Sequence, residues 1–223
     1  MGLLINLFVD CKYRPPIMDK KKMSLDRFIM LEGWSQGLCI ALVAVAYGVL
    51  STYIAIYSQD VLSITAGTGT FFMLFAVGLI MSRFFGVRYL SKGFVVRNAT
   101  YGVICVAIGY SLFAFWQNLY GYYISAVVIG FGQGSMYPAV QTMFLNMASN
   151  DKRGTANATI LTSWDLGIGL GIIGGGYVAE HLGGYNSAFL LSVIVSVISV
   201  VFFISYSRKE YEKSLKSKVE TRQ

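Results

Sequence analysis

The side chains best placed to do chemistry in this sequence are one carboxylate and a row of amides and phenols set among apolar residues. Asp165 follows Trp164 and stands well beyond Arg153, about 18 Å along a helix that rises 1.5 Å per residue. That distance puts it near the middle of a hydrocarbon layer rather than at the headgroups. A carboxylate at such depth is costly and by default marks an ion path, a proton relay or a buried pair. The other apolar stretches hold no lysine or arginine, which argues against an intramembrane ion pair. Two readings stay open: a proton or substrate role, or a structural Asp hydrogen-bonded to backbone or hydroxyls beside Trp164. Gln133, Tyr137 and Gln141 recur every four residues with Pro138 among them, so on a helix they stack on one face. Bare amides facing lipid are costly, so the stripe faces protein or a water-filled cavity, and Pro138 can bend its helix. Tyr47 and Ser51, with Gln36 and Tyr53, are weaker polar points on an earlier stretch, since a lone serine can bond its own backbone. Glu32 reads as interfacial.

Glycines form the second pattern. Gly167, Gly171 and Gly175 repeat at four-residue spacing and make one smooth helix face that lets another helix approach closely. Such a seam packs helices, and it can also serve as the sliding surface of a moving one. Gly130 and Gly134 add a second close-packing pair. Gly169-x-Gly171-x-x-Gly174 matches a dinucleotide fingerprint in form only, because no strand precedes it and it lies inside an apolar span. An intramembrane enzyme is not expected: the only histidine is His181, and no Gly-x-Ser-x-Gly segment offers a nucleophile. Cys39 and Cys105 lie in apolar spans and Cys11 in a basic segment, so neither a disulfide framework, a metal site nor a cofactor is implied.

The elements that must position these residues follow from composition. The 223 residues are 55% hydrophobic and only 13% charged, against roughly 25% charged in soluble domains. Six stretches are long enough to span a bilayer: about Gly33–Tyr57, Thr65–Ser82, Ala99–Phe115, Tyr122–Met147, Ala156–Ala179 and Ser187–Tyr206. In hydrocarbon such runs must be helical, which predicts an all-α integral membrane bundle of six transmembrane helices. Lysine and arginine cluster at Lys12–Arg27, Arg83–Arg97, Lys152–Arg153 and Arg208–Arg222, which together hold all 18 of them. The connections around Ser58–Ile64, Gln117–Gly121 and Glu180–Asn186 hold none. Basic and neutral segments alternate as an even number of crossings requires, and the basic side is cytoplasmic. A multi-pass protein of the plasma (inner) membrane with both termini inside is the expectation. Net charge +7 is then a topology signal with attraction to anionic lipid, not a sign of nucleic-acid binding. Tyr57, Trp116, Tyr120, Tyr122, Tyr123 and Tyr206 read as an interfacial aromatic belt. The domains read as a cytoplasmic linker over 1–27, a six-helix unit over 28–207 and a basic cytoplasmic tail over 208–223. The apolar start Met1–Val9 reads as the tail of a preceding helix.

Three features together carry a family resemblance: the short basic cytoplasmic loop expected over Arg83–Gly93 between the second and third helices, the Arg153-Gly154-Thr155-Ala156-Asn157 run, and the Trp164-Asp165-Leu-Gly helix with its later glycines. The chain, over nearly its whole length, resembles the C-terminal half of a major facilitator superfamily transporter, and Ser24-Leu25-Asp26-Arg27-Phe28 resembles the entry to that half. The family's short-loop motif runs Gly-x-x-x-Asp-Arg-x-Gly-Arg-Arg; Gly86 and Gly93 stand at its separation with Arg83 before them. Leu90 occupies the acidic position, so a conformational latch here would rely on Arg83 and a partner elsewhere. Gly167, Gly171, Gly175 and Gly176 approximate the antiporter glycine motif with Ile172 for proline, and count as packing evidence. The resemblance implies two inverted three-helix repeats forming half of a twelve-helix fold, with substrate bound between halves near the midplane. It implies secondary active, proton-coupled transport of a small molecule by alternating access. Helices one, two, four and five would line the cavity, with Asp165, Trp164, Gln133, Tyr137, Gln141 and Tyr47 as its candidates. The implied partners are the substrate, protons, the bilayer, and an N-terminal six-helix half or a second copy. The alternatives are a non-transporting or truncated half that needs a partner half and, less favoured, a channel. The cavity residues suit sugars, drugs or amphipathic metabolites, and the lack of an intramembrane cation argues against strongly anionic substrates.

Overall fold

In hydrocarbon a backbone N–H or C=O has no water to bond, so each apolar run closes its own hydrogen-bond ladder. A computed structural model describes residues 30–60, 63, 67–91, 93–149 and 152–220. The linker expected over 1–27, the apolar start Met1–Val9 and the segment Ser24–Phe28 lie outside the described residues, as do the side chains of Glu32 and Leu90. After a short turn at Leu31–Gly33 come six long helices: α1 Trp34–Asp60, α2 Gly67–Ser91, α3 Val95–Phe115, α4 Leu119–Met147, α5 Arg153–His181 and α6 Tyr185–Phe202. A π-helical turn, Phe203–Ser207, carries α6 into α7, Arg208–Glu220. Five of the six long helices, α6 counted with its continuation, are apolar and long enough to cross a membrane. In α4, Gln133, Pro138 and Gln141 interrupt the apolar residues, and it makes extensive contacts with α2 and α3.

The helix pairings have an internal symmetry. The most extensive contacts join α3 to α4, α2 to α4 and α1 to α5, followed by α1 to α6 and α3 to α6. Exchanging α1–α3 with α4–α6 carries the α2–α4 pair onto α5–α1 and the α3–α4 pair onto α6–α1. Two three-helix repeats produce this pattern. α1 and α4 therefore hold the centre, α2 and α5 lie on opposite flanks, and α3 and α6 pack together behind.

Glycines set how near the flanking helices come. Gly167 sits against the Ala41 carbonyl and the Ala44 methyl, Gly171 against the Val45 carbonyl, and Gly175 against Val49 and Tyr53. On α1, Gly48 answers against the Ile168 carbonyl. The α2–α4 contact repeats the device: Gly130 meets the Phe75 carbonyl, Gly134 meets Ser82, and Gly78 meets Val127 and Phe131. Where backbone meets backbone so closely, dispersion contacts replace the hydrophobic drive that lipid removes.

Three expectations are corrected. The basic segment Arg83–Gly93 is not a loop: α2 runs through it to Ser91 and stops before Gly93, whose φ of 80° belongs to the left-handed region. Helix propensity does not end where the bilayer does, and only the residue that leaves the αR region breaks the ladder. α3 likewise begins at Val95 rather than Ala99. The third correction concerns the aromatic belt. Trp116, Tyr120 and Tyr206 are exposed, but Tyr57 and Tyr122 are each only 2% exposed. They belong to a ring cluster at the end of the bundle where the neutral connections lie. Tyr57 packs on Phe189 at 5.1 Å, Phe113 on Phe189 at 4.7 Å, and Phe71 on Tyr122 at 5.0 Å. Five helices converge there, and tilted or edge-on rings join them at the spacing aromatic pairs prefer.

Candidate functional site

Between the flanks α2 and α5, over α1 and α4, lies a cavity of about 390 Å³. α2 supplies Phe75, Leu79 and Arg83, spaced four apart and so on one face. α4 supplies Gln133, Gly134 and Tyr137, α1 supplies Tyr47, and α5 supplies Leu161 and Trp164. Trp164 joins the wall together: its ring lies 5.6 Å from Tyr47 and 5.5 Å, nearly edge-on, from Tyr137. Tyr47 in turn lies 6.0 Å from Phe75. The result is a continuous aromatic surface drawn from four helices, of a size and apolar character suited to a small molecule.

Gln133 supplies the polar point. It is only 6% exposed, and its Oε1 has no hydrogen-bond partner among the described residues. The third member of the stripe is engaged elsewhere. Gln141 Nε2 donates to Asn157 Oδ1 at 2.9 Å, tying α4 to α5 beside the cavity rather than lining it. Asp165 is exposed and does not line the cavity, although it lies within electrostatic reach of Tyr137. The structure thus brings together Tyr47, Gln133, Tyr137 and Trp164, and leaves Gln141 and Asp165 at the margin.

The residues of the short basic motif part company. Arg83 reaches the cavity, Gly86 is buried against Asn98, and Gly93 has open space around it. The one ion pair among the described residues is Arg208–Glu212, at 2.9 Å within α7. Arg83 therefore brings a cation to a cavity that, on the apolar spans alone, was expected to have none, because α2 continues as a helix past the end of its apolar run.

Sequence reasoning missed Phe75, Leu79 and Leu161, whose apolar types look like any other lipid-facing residue. The four-residue spacing that ends on Arg83 was the available signal. It also missed Asn98, which is 6% exposed and donates from Nδ2 to the Ser135 carbonyl at 3.2 Å, fixing the start of α3 to α4. At the same end, Gln36 Nε2 donates to the Ser207 carbonyl at 3.2 Å, a bond that holds the π-helical turn against α1.

Comparison with known proteins places this geometry in context. The family model described as Major Facilitator Superfamily matches residues 38–222. The chain is 25% identical over 178 residues to an uncharacterized MFS-type transporter of Pseudomonas aeruginosa (strain UCBPP-PA14), an alignment that covers 78% of this chain and 42% of that protein. The chain thus spans well under two thirds of the length of the curated relative it matches.

Proposed function

The chain belongs to the major facilitator superfamily, and from that premise we propose that it forms one six-helix half of a secondary active transporter, corresponding to the C-terminal half. A small molecule binds against the Tyr47–Trp164–Tyr137 wall and is carried across the membrane by alternating access. The observation that carries this reading is the cavity shared by α1, α2, α4 and α5. It is concave and aromatic, and it lies between the flanks of the two repeats, where inverted-repeat transporters hold substrate. The glycine seams support motion of the kind required. Few side chains interlock across α1–α5 at Gly167 and Gly171, so the two backbones can shift against each other with little repacking. Asp165 is the proposed proton-responsive group: it stands one residue from Trp164 within reach of Tyr137, and it is exposed, on a surface that this reading places under a complementary half. Uncovered, that surface leaves a carboxylate in lipid, which is costly, and so the active unit contains a second six-helix half or a second copy.

The test is transport by sealed vesicles loaded with a cell extract and energised by a proton gradient. Vesicles rich in the chain are expected to redistribute at least one metabolite. Trp164→Ala is expected to slow that redistribution by about tenfold or more, the loss of at least one good ring contact. Asp165→Asn is expected to uncouple it from the gradient, and vesicles holding one chain each to be silent. Uptake by verified single chains would overturn the need for a second half. Redistribution indifferent to Trp164 would overturn the cavity as the site.

A further inference from the structure

The chemistry of the cavity narrows its occupant. Of the residues that line it, Arg83 is the only charged one. A guanidinium is a planar fork that takes a carboxylate through two parallel N–H···O bonds, and Arg83 presents that fork exposed at the open side of the cavity. Beside Gln133 and Gly134 the rest of the lining is aromatic or aliphatic, with phenol hydroxyls on Tyr47 and Tyr137, so a ligand meets one positive charge, one amide, two phenols and a ring surface. Asp165 lies outside the lining, so a cationic ligand would face Arg83 without a carboxylate beside it. A phosphate dianion would keep a charge that a single guanidinium leaves uncompensated.

We propose that this cavity binds a monoanionic aromatic carboxylate: Arg83 takes the carboxylate, Tyr47, Trp164 and Phe75 take the ring, and the Gln133 amide takes a polar ring substituent. The proposal rests on the reading of this cavity as the substrate site. Gln133 fits the third role because its amide is part of the cavity lining and its acceptor oxygen, buried in the ligand-free structure, has no partner among the described residues. Turned toward the cavity, that amide takes a ring hydroxyl or N–H. The Tyr47 and Trp164 rings are tilted by only 34° to each other, which leaves an offset face for a flat ligand rather than a closed edge-on stack.

The three tryptophans, Trp34, Trp116 and Trp164, make the test direct. In a full-length chain carrying Trp34→Phe and Trp116→Phe, Trp164 is the sole reporter in the cavity. Three probes share a nitroaromatic ring that quenches tryptophan: 4-nitrobenzoate, 4-nitrobenzyl alcohol and the ammonium form of 4-nitrobenzylamine. With the protein in nanodiscs, 4-nitrobenzoate is expected to quench saturably and to bind about tenfold or more tightly than the alcohol, with the ammonium weakest. Arg83→Gln is expected to erase the advantage of the acid over the alcohol while leaving the alcohol's affinity in place. Arg83→Lys is expected to restore part of that advantage. The ranking on the chain that keeps Arg83 decides the matter even where Arg83→Gln fails to fold. An alcohol or ammonium that binds as tightly as the acid overturns the anion and leaves the cavity standing. No saturable quenching by any of the three overturns the anion and counts against the cavity itself.

Discussion

Gln133 and Gln141 sit two helical turns apart on one face of α4, yet they stand in opposite energetic positions. The Gln141 amide is bonded to Asn157, while Gln133 keeps a buried acceptor without a protein partner. Replacing a buried polar group that lacks its partner by an apolar one of similar size is neutral or stabilising, whereas breaking one side of a made bond is not. Gln133→Leu is therefore expected to leave thermal stability in detergent unchanged or raised by about 1 kcal/mol, while binding in the cavity falls. Gln141→Leu is expected to cost about 0.6 kcal/mol, the average for a side-chain hydrogen bond between membrane helices. A double-mutant cycle with Asn157→Leu should recover the same coupling energy; additivity of the two substitutions would show that the bond contributes nothing. A melting point lowered by Gln133→Leu would mean that its amide is satisfied in the membrane and is not waiting for a ligand. The stripe itself was legible from four-residue spacing. Which of its members faces the cavity was not, because Asn157 belongs to α5 and spacing within one helix says nothing about the partner helix. Asp165 follows the same rule. Two residues before Gly167, it points about 200° around a helix of 3.6 residues per turn from the glycine face, so seating the seam on α1 turns the carboxylate outward.

The glycine faces connect single residues to whole elements. A Cβ at Gly171 would run into the Val45 carbonyl, which is backbone and cannot swing aside, whereas Gly169 has no atom of another element within 4 Å. Two glycines on one helix thus predict opposite outcomes. Gly171→Leu must push α5 off α1 and is expected to cost about 1–3 kcal/mol, the range for overpacking a tight contact. Gly169→Ala removes only the conformational freedom of glycine and is expected to be neutral or to stabilise by up to about 1 kcal/mol. Unfolding in mixed SDS micelles would read both. Equal effects at the two positions would mean that α1 and α5 do not meet along this seam. Element existence was plain in the sequence because twenty apolar residues admit few structures other than a helix. Element ends were not. Hydropathy marks where the bilayer stops, but α2 continues through Arg83 and Gly86 to Ser91, since those residues keep αR geometry in water as readily as in lipid. That overrun turns Arg83 from a loop residue into one carried on the same helical face as Phe75 and Leu79. Tyr57 and Tyr122 show the reverse limit: an aromatic near a helix end satisfies the belt pattern whether it faces lipid or a neighbouring helix, and only the packing of five helices decides.

At the scale of the molecule, the placement of charge and the pairing of helices bear on one open quantity, the number of crossings. α4 is the helix on which that number turns, because its composition falls short of the other five although its length and burial do not. If α4 crosses, its two ends emerge on opposite sides. The connection holding Tyr120 then shares a side with the other neutral segments, the side expected outside, and Ser149, next to the basic pair Lys152–Arg153, shares the side of α7, expected inside. If α4 lay within the protein without crossing, Tyr120 and Ser149 would share a side, and the alternation of basic and neutral segments would fail between α3 and α5. Burial favours crossing, since α4 interposes between α2 and α3 with Gly130 and Gly134 locked on α2 over more than one turn. The orientation expected is the one that keeps the lysines and arginines on the cytoplasmic side. In a chain with Cys11, Cys39 and Cys105 replaced by alanine, Tyr120→Cys is expected to react with a membrane-impermeant maleimide on intact cells. Ser149→Cys and Lys213→Cys are expected to react only after permeabilisation. All three positions are exposed, so silence reports the membrane rather than burial. Labelling of Tyr120→Cys and Ser149→Cys from the same side would remove α4 from the crossings and with it the two-repeat symmetry that builds the cavity. Inverted labelling at all three would keep the fold and reverse its orientation, placing Arg83 and the arginine-bearing end of the cavity toward the outside.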